Sequence, residues 1–333
     1  MAGIFNVLIA MLAGLGAVTL CCIIYSMLRF LTLHLIIPSH PLQSYKRSGP
    51  EPTYALVTGS SAGIGLGVAQ ALVKEGFAII LLGHLAEELA EAKSGLQALR
   101  PGAVVRILVM NARTATPEEI KDAVQSIADL QLSILVNNVG GNPVRLPAFR
   151  PMATHSSEDI DAVINHNARF MARLTALTLP LLSRNSRPED RSLILNMSSA
   201  AWVGIPWIIM YGATKAFNLG FSCGLARELK ASPDTSHIDC LAIVPGEVRS
   251  QGNCEGVSDS EPRWDQFGQC IVDKADNAIS RNQTHLHPWM MHDFQQKILA
   301  ALPEGISTAA LNDALGKKRE AFNSAWERSQ KME

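Results

Sequence analysis

One stretch, Thr58-Gly59-Ser60-Ser61-Ala62-Gly63-Ile64-Gly65, limits the folds open to this chain more than any other. It lies between a short apolar run, residues 54–58, and an amphipathic run, residues 63–75, which Gly76 ends. A strand that enters a helix through glycines can bend sharply and let phosphate oxygens approach the backbone. The helix start then offers free N–H groups and the positive end of its dipole. Such a strand–turn–helix belongs in a parallel α/β sheet, where it can hold a dinucleotide.

The rest of the pattern agrees. Apolar strand-like runs are expected at residues 54–58, 77–82, 104–110, 133–137, 192–197 and 238–244. Helical runs alternate with them at 63–75, 86–100, 117–130, 157–182 and 211–231. This alternation predicts an α/β fold: a doubly wound parallel sheet of Rossmann type, covered on both faces. Ligands of such sheets bind beyond the carboxyl ends of the strands. The chemically suggestive motifs all fall at those ends. From residue 251 onward the chain is more polar and its periodicity weaker.

The N-terminus obeys a different rule. Residues 1–28 contain no Asp, Glu, Lys or Arg, and the first charge is Arg29. About 20 apolar residues cross a bilayer, so this run predicts a transmembrane helix. No basic residue precedes it, which argues for an uncleaved anchor over a cleaved signal peptide. The basic residues that follow place the catalytic part in the cytosol, most simply at the endoplasmic reticulum membrane. A second apolar stretch, residues 30–37, is too short to span and is expected at the membrane interface or beneath the soluble part. Residues 38–52, with four prolines, read as a linker. The expected division is therefore a membrane anchor at 1–37, a linker at 38–52 and a dinucleotide-binding domain at 53–333, whose last part, from about 251, serves as substrate region or lid.

Bulk properties remove other classes. Net charge is −1 and there is no basic stripe, so nucleic acid is not an expected partner. Six cysteines without paired spacing indicate neither a disulfide framework nor a metal site. The sequons at Asn196 and Asn282 are discounted, the first because it falls in an expected core strand.

Tyr211-Gly212-Ala213-Thr214-Lys215 supplies the second motif. Tyr211 and Lys215 lie one helical turn apart on one face. A free tyrosine has a pKa of about 10. A neighbouring ammonium favours the phenolate and brings the group towards working pH. Such a pair can move a proton to or from a carbonyl oxygen.

Taken with the glycine turn, these residues resemble the short-chain dehydrogenase/reductase family. Asn137-Asn138-Val139-Gly140 is similar to its Asn-Asn-Ala-Gly motif. Pro245-Gly246-Glu247-Val248-Arg249-Ser250 is similar to its Pro-Gly-x-Val-x-Thr motif. The resemblance implies four catalytic residues, Asn167, Ser199, Tyr211 and Lys215. Tyr211 would give the proton, Ser199 would stabilise charge on the oxygen, and Asn167 would hold a relay water for Lys215. Ser198 stays open as the alternative serine. The resemblance also implies cofactor contacts from Gly59, Ser61, Gly63, Ile64, Gly65, His84, Asn111, Asn138, Gly140, Tyr211, Lys215, Val248 and Ser250.

The end of the second strand, Leu81-Leu82-Gly83-His84, has no acid to bind a ribose hydroxyl and repel phosphate, so NADP(H) is the expected cofactor. An anchor before such a domain resembles the branch with very-long-chain 3-oxoacyl-CoA reductases and 17β-hydroxysteroid dehydrogenases. The apolar loop at 200–210 suits a small hydrophobic or acyl substrate, and serves equally as core or as a homo-oligomer contact. A ketoreductase of a specialised polyketide or terpenoid pathway and an idle Rossmann scaffold for lipid or protein remain the alternatives.

Overall fold

The computed structural model describes residues 2–36, 42–144 and 147–331. They form two units that divide at Ser39. In the first unit, helix α1 (Ala2–Leu31) runs on into a π-helical turn, Thr32–Ile36. The span is thus one helix over Gly3–Leu35, long and apolar enough to cross a membrane. The second apolar stretch, through residue 36, is its continuation and not a separate interfacial segment; residue 37 lies outside the described residues. The hydroxyls of Thr19 and Thr32 donate back to the Leu15 and Leu28 carbonyl oxygens. Both polar groups are thereby satisfied within the helix, as a lipid environment demands.

The second unit is a seven-stranded parallel sheet in the order β3-β2-β1-β4-β5-β6-β7. Its strands are β1 (Thr53–Thr58), β2 (Ala78–Gly83), β3 (Val105–Val109), β4 (Gln131–Asn137), β5 (Ser192–Met197), β6 (Ile238–Ile243) and β7 (His285–Leu286). The connecting helices are α2 (Gly63–Lys74), α3 (Ala86–Leu99), α4 (Pro117–Gln125), α5 (Ser157–Ile164), α6 (Phe170–Arg184) and α7 (Ile209–Ala231). The last three are α8 (Trp264–Ser280), α9 (Met290–Ala301) and α10 (Glu304–Gln330). β1, β2, β5 and β6 are buried along their whole lengths, which explains why they read as unbroken apolar runs. Tyr54, Leu56, Ile80 and Ile194 pack with Ile120, Leu174 and Leu229 of α4, α6 and α7. Each such buried aliphatic side chain stabilises the fold by roughly 1.5–3 kcal/mol. α2 and α3 pack against β1, β2 and β3, and α2 lies closely on α8. There Gly67 and Gly268 meet backbone to backbone: a Cβ at Gly268 would stand 2.3 Å from the Gly67 carbonyl carbon.

Three elements depart from the sequence expectation. The helix expected at 117–130 stops at Gln125, where Ser126 closes it with N–H bonds to Asp122 and Val124. The helix expected at 157–182 is interrupted by a π-helical turn, Asn165–Arg169. β7 is two residues long, too short to show any periodicity. Of the expected linker, residues 38–41 lie outside the described residues. The remainder is tied to the sheet: Tyr45 is fully buried and donates to Asp239 Oδ2 at 2.9 Å. Arg47 donates to the Asp190 and Arg191 carbonyl oxygens at 2.5 and 2.6 Å.

The order of strands reverses between β1 and β4, and a crevice opens there beyond their carboxyl ends. Thr58 and Asn137 end these two strands, so the glycine turn and the Asn137–Gly140 motif both begin at that reversal.

Candidate active site

Gly59 and Gly63 have φ of +61° and +57°, which side chains other than glycine rarely adopt. Gly65 is required for a different reason: a Cβ there would lie 2.2 Å from the Gly59 carbonyl oxygen and 2.4 Å from Asn138 Nδ2. Asn138 holds the turn in place by donating to the carbonyl oxygens of Thr58 and Gly59, both at 3.0 Å. Thr58 Oγ1 in turn accepts from the Asn138 and Val139 N–H groups. Ser250 reaches the same turn, its Cβ 3.7 Å from where a Gly63 Cβ would stand.

Helix α2 begins at Ala62 with no side-chain cap, whereas α4 and α5 are both closed by full capping boxes at Thr116 and Ser156. The first-turn N–H groups of α2 are therefore left for a ligand. Open glycine backbone and an uncapped helix start fit the pyrophosphate of a dinucleotide. Ile64 lies in that first turn. Ser61 and Ala62, at the start of α2, line a cavity of about 330 Å³ together with Glu88, Glu91 and Gln251. That cavity does not include Tyr211 and is not the reaction centre. His84 and Asn111 are exposed at the ends of β2 and β3; Asn111 Oδ1 accepts from the Arg113 N–H at 3.0 Å.

The other expected residues gather around β5 and α7. Lys215 is buried and its Nζ donates to the Met197 carbonyl oxygen at 3.1 Å, beside Asn218, which donates to the same oxygen at 3.0 Å. Burial lowers the Lys215 pKa to about 8. Gly140 allows this approach, because a Cβ there would stand 2.5 Å from Lys215 Nζ and 3.0 Å from Asn167 Oδ1. The Tyr211 ring lies 5.6 Å from that ammonium. The Ser199 side chain is near enough to its hydroxyl to favour the phenolate. Gly212, next along the helix, admits the Ala201 carbonyl, which would sit 2.9 Å from a Cβ.

Protein groups alone raise the Tyr211 pKa. Burial is the largest cause, Ser199 opposes it, and the Glu247 charge adds to it. The expectation that Lys215 moves Tyr211 downwards is corrected to this extent: within the protein alone burial is the largest influence, and it raises the pKa. A phenol so placed keeps its proton and is suited to donate it.

The two adjacent serines separate cleanly. Ser198 is buried and donates to the Lys215 carbonyl oxygen at 2.7 Å. Ser199 accepts from the Ala201 N–H at 3.2 Å and is the serine that meets Tyr211.

Asn167 sits within the π-helical turn, fully buried. Its Nδ2 donates to the carbonyl oxygens of Gly141, at 2.7 Å, and Val163, at 3.0 Å, while its Oδ1 accepts from the Gly141 N–H at 3.0 Å. The extra residue of a π turn disturbs the helical ladder, and the side-chain amide serves the Val163 carbonyl there. The expected relay water thus has less of this side chain to itself: the amide's first task is to grip Gly141. Asn137 and Asn196, beneath, join at 2.8 Å, and Asn196 bonds Ser222 at 2.9 Å. Asn196 is fully buried, which bars its use as a glycosylation site in the folded chain.

Sequence reasoning passed over His166. Its pKa is lowered to about 4 by burial first, then by Lys215, Arg113 and His84. Its ring therefore stands neutral, with Nε2 3.9 Å from where a Cβ of Gly141 would stand. Its position directly before Asn167 was the one available signal.

A family model for the short chain dehydrogenases matches residues 53–260, more than half of the chain. The chain belongs to the short-chain dehydrogenase family. It is thus an oxidoreductase built on a nicotinamide-binding fold. Among its relatives is a very-long-chain 3-oxoacyl-CoA reductase of Pyricularia oryzae, 26% identical over 286 residues, covering 86% of this chain and 82% of the relative. Another is 17-beta-hydroxysteroid dehydrogenase type 3 of Danio rerio, 31% identical over 177 residues, 53% of this chain and 55% of the relative. Among solved structures, a short chain dehydrogenase from Shigella flexneri complexed with NADP aligns with a TM-score of 0.62 at 22% identity, over 72% of this chain and 98% of that one. One from Sphingobium yanoikuyae in complex with NADPH aligns with a TM-score of 0.59 at 22% identity, over 76% of this chain and 97% of that one.

Proposed function

We propose that this dehydrogenase is a membrane-anchored, NADP(H)-dependent reductase of hydrophobic ketones, of the 3-oxoacyl or steroid-like class, acting on the cytosolic side of the endoplasmic reticulum. The observation that carries the reading is a Tyr211 phenol influenced by Ser199 and a Tyr211 ring 5.6 Å from the buried Lys215 ammonium.

NADPH, when bound, supplies the hydride. The residues of the chain do the rest. The glycine turn and the open start of α2 hold the pyrophosphate, with Asn138 and Ser250 bracing that turn. Tyr211 donates its proton to the ketone oxygen as negative charge develops there. Ser199, whose own oxygen already accepts from Ala201 N, aims its O–H at the same oxygen. Lys215, with its pKa near 8, is poised to hand a proton back to Tyr211. Gly140 and Asn167 keep the wall beside it in place.

Three observations support the finer points. The Gly83-His84 strand end offers a 2′-phosphate no carboxylate, and the two structural relatives above were solved with NADP or NADPH. The Pyricularia and Danio relatives carry names of lipid-type ketone chemistry. Trp202, Val203 and Ile209, near Ser199 and Tyr211, are exposed apolar side chains of the kind that line a greasy cleft.

A screen of 3-oxoacyl thioesters, steroid ketones and cyclic ketones with NADPH, using detergent-solubilised full-length protein, tests the reading. Oxidation of NADPH that depends on one of these classes is expected. Absence of turnover across all of them would remove it.

A further inference from the structure

Helix α10 has no fully buried residue, yet one of its faces touches loops that leave β4, β5 and β6. Phe322 packs on Phe149, ring centroids 5.0 Å apart. The Arg319 guanidinium lies 5.0 Å over the Trp207 ring. Trp207 itself has a φ of +65°, a conformation that a bulky residue adopts only when its surroundings hold it. Ala321 abuts Gly256, 3.1 Å from where a Cβ of that glycine would stand.

Lys318 is the most enclosed of these contacts, with 12% of its side chain exposed. Its ammonium pairs with the Glu247 carboxylate and donates to Asn253 Oδ1 at 2.9 Å. Asn253 Nδ2 donates to Glu247 Oε2 at 3.1 Å and to the Val248 carbonyl oxygen at 3.0 Å. Glu247 is thus held from two sides. Its turn is also joined to the strand end that carries Ser199, because the Ala200 N–H donates to the Pro245 carbonyl oxygen at 2.7 Å.

We propose that Lys318 is a positioning residue of the active site: reaching in from α10, it fixes the turn that carries Glu247 and sets the net charge that the Tyr211 phenol faces. The proposal rests on the reading of Tyr211 as the proton-transferring group. The charged and titratable groups that bear on it are few. Tyr211 lies near the Lys215 ammonium on its own helix, and the Ser199 hydroxyl and the Glu247 charge from the loop after β6 act on its phenol. Glu247 faces Lys318. On the other side of Gly246, His292 pairs with Glu261 at 3.0 Å, and Arg249 is occupied by Asp259 at 2.9 Å.

Removing the Lys318 charge leaves Glu247 uncompensated and tightens the hold of Tyr211 on its proton. Removing the Glu247 charge loosens it. The experiment is single-turnover oxidation of a secondary alcohol by NADP⁺, followed against pH in the full-length protein in detergent. The midpoint of the rising limb in Lys318→Met should move up by on the order of half a pH unit, and in Glu247→Gln it should move down. Lys318→Arg and the double variant Lys318→Met/Glu247→Gln should stay close to the unmodified protein. A purely structural role would slow the single variants without moving the midpoint in opposite directions.

Midpoints that stay fixed, or that move the same way in the two single variants, overturn the proposal while leaving the oxidoreductase reading intact. If Lys318→Met does not fold, a midpoint in Glu247→Gln that fails to fall overturns it equally. An unmodified protein that transfers no hydride removes the proposed reaction and this role with it.

Discussion

The Ser198 hydroxyl donates to the carbonyl oxygen of Lys215 at 2.7 Å, across the gap between β5 and α7. That bond decides between two neighbouring serines. Ser198 secures the helix that carries Tyr211 and Lys215, which in the proposed function leaves Ser199 for the substrate. Ser199→Ala should cost roughly 10²–10³-fold in hydride transfer, as one lost oxyanion donor does. Ser198→Ala should leave the chemical step within a few-fold and instead lower stability by about 0.5–1.5 kcal/mol, for one lost buried hydrogen bond to a carbonyl already paired within α7. Single-turnover rates and urea midpoints of the two variants check the division; equal rate losses would refute it.

Gly140 has an equally local test. A methyl group there would meet Lys215 Nζ at 2.5 Å, so Gly140→Ala must push the ammonium or the turn aside. Overpacking of this sort costs about 1–3 kcal/mol, which corresponds to roughly 5–150-fold. The loss should appear in NADPH affinity and in hydride transfer together, measured by fluorescence titration and stopped flow. Unchanged affinity and rate would mean that the lysine does not need that space.

Cofactor choice is tested at His84. His84→Asp places a carboxylate where the 2′-phosphate of NADPH is expected, and should reverse or erase a preference for NADPH over NADH. Dissociation constants for both cofactors, before and after the change, give the answer. Equal affinities in the unmodified protein would contradict the expected preference for NADPH.

Acid should weaken the fold through its two strongly desolvated histidines. His166 and His287 both have pKa values lowered to about 4, with burial the first cause in each. The folded chain therefore resists a proton that the unfolded chain takes up near pH 6.5. The contribution is complete above about pH 6.5 and is lost as pH falls towards 4. Between pH 7 and pH 5 each histidine should cost on the order of 2 kcal/mol of stability. Denaturant unfolding at both pH values would show this. His166→Gln should remove about half of the difference, and an undiminished difference would assign it to other groups.

Much of this fold was legible because its strands are buried on both faces and each passes into an amphipathic helix. Residues 192–197 were placed to the residue for that reason. The glycine turn was legible because backbone geometry at Gly59 and Gly63, and close approach at Gly65, admit little else. What escaped had no local signature. The π turn at Asn165–Arg169 depends on the bond from Asn167 to Val163 and on the loop at Gly141, which the helix meets only in three dimensions. The pairing of Lys318 with Glu247 joins residues far apart in the chain. The upward direction of the Tyr211 pKa follows from burial, which the Tyr-x-x-x-Lys spacing does not reveal.

The most direct test of the account is Tyr211→Phe. The change removes the phenolic oxygen and keeps the ring against Lys215, while the glycine turn is untouched. With a ketone that the unmodified enzyme reduces, single-turnover hydride transfer should fall by at least roughly 10²–10⁴-fold, the usual loss on removing a general acid. NADPH affinity and the melting temperature should hold near their unmodified values. Hydride transfer at close to the full rate in Tyr211→Phe would contradict the account, because the proton would then be coming from another group.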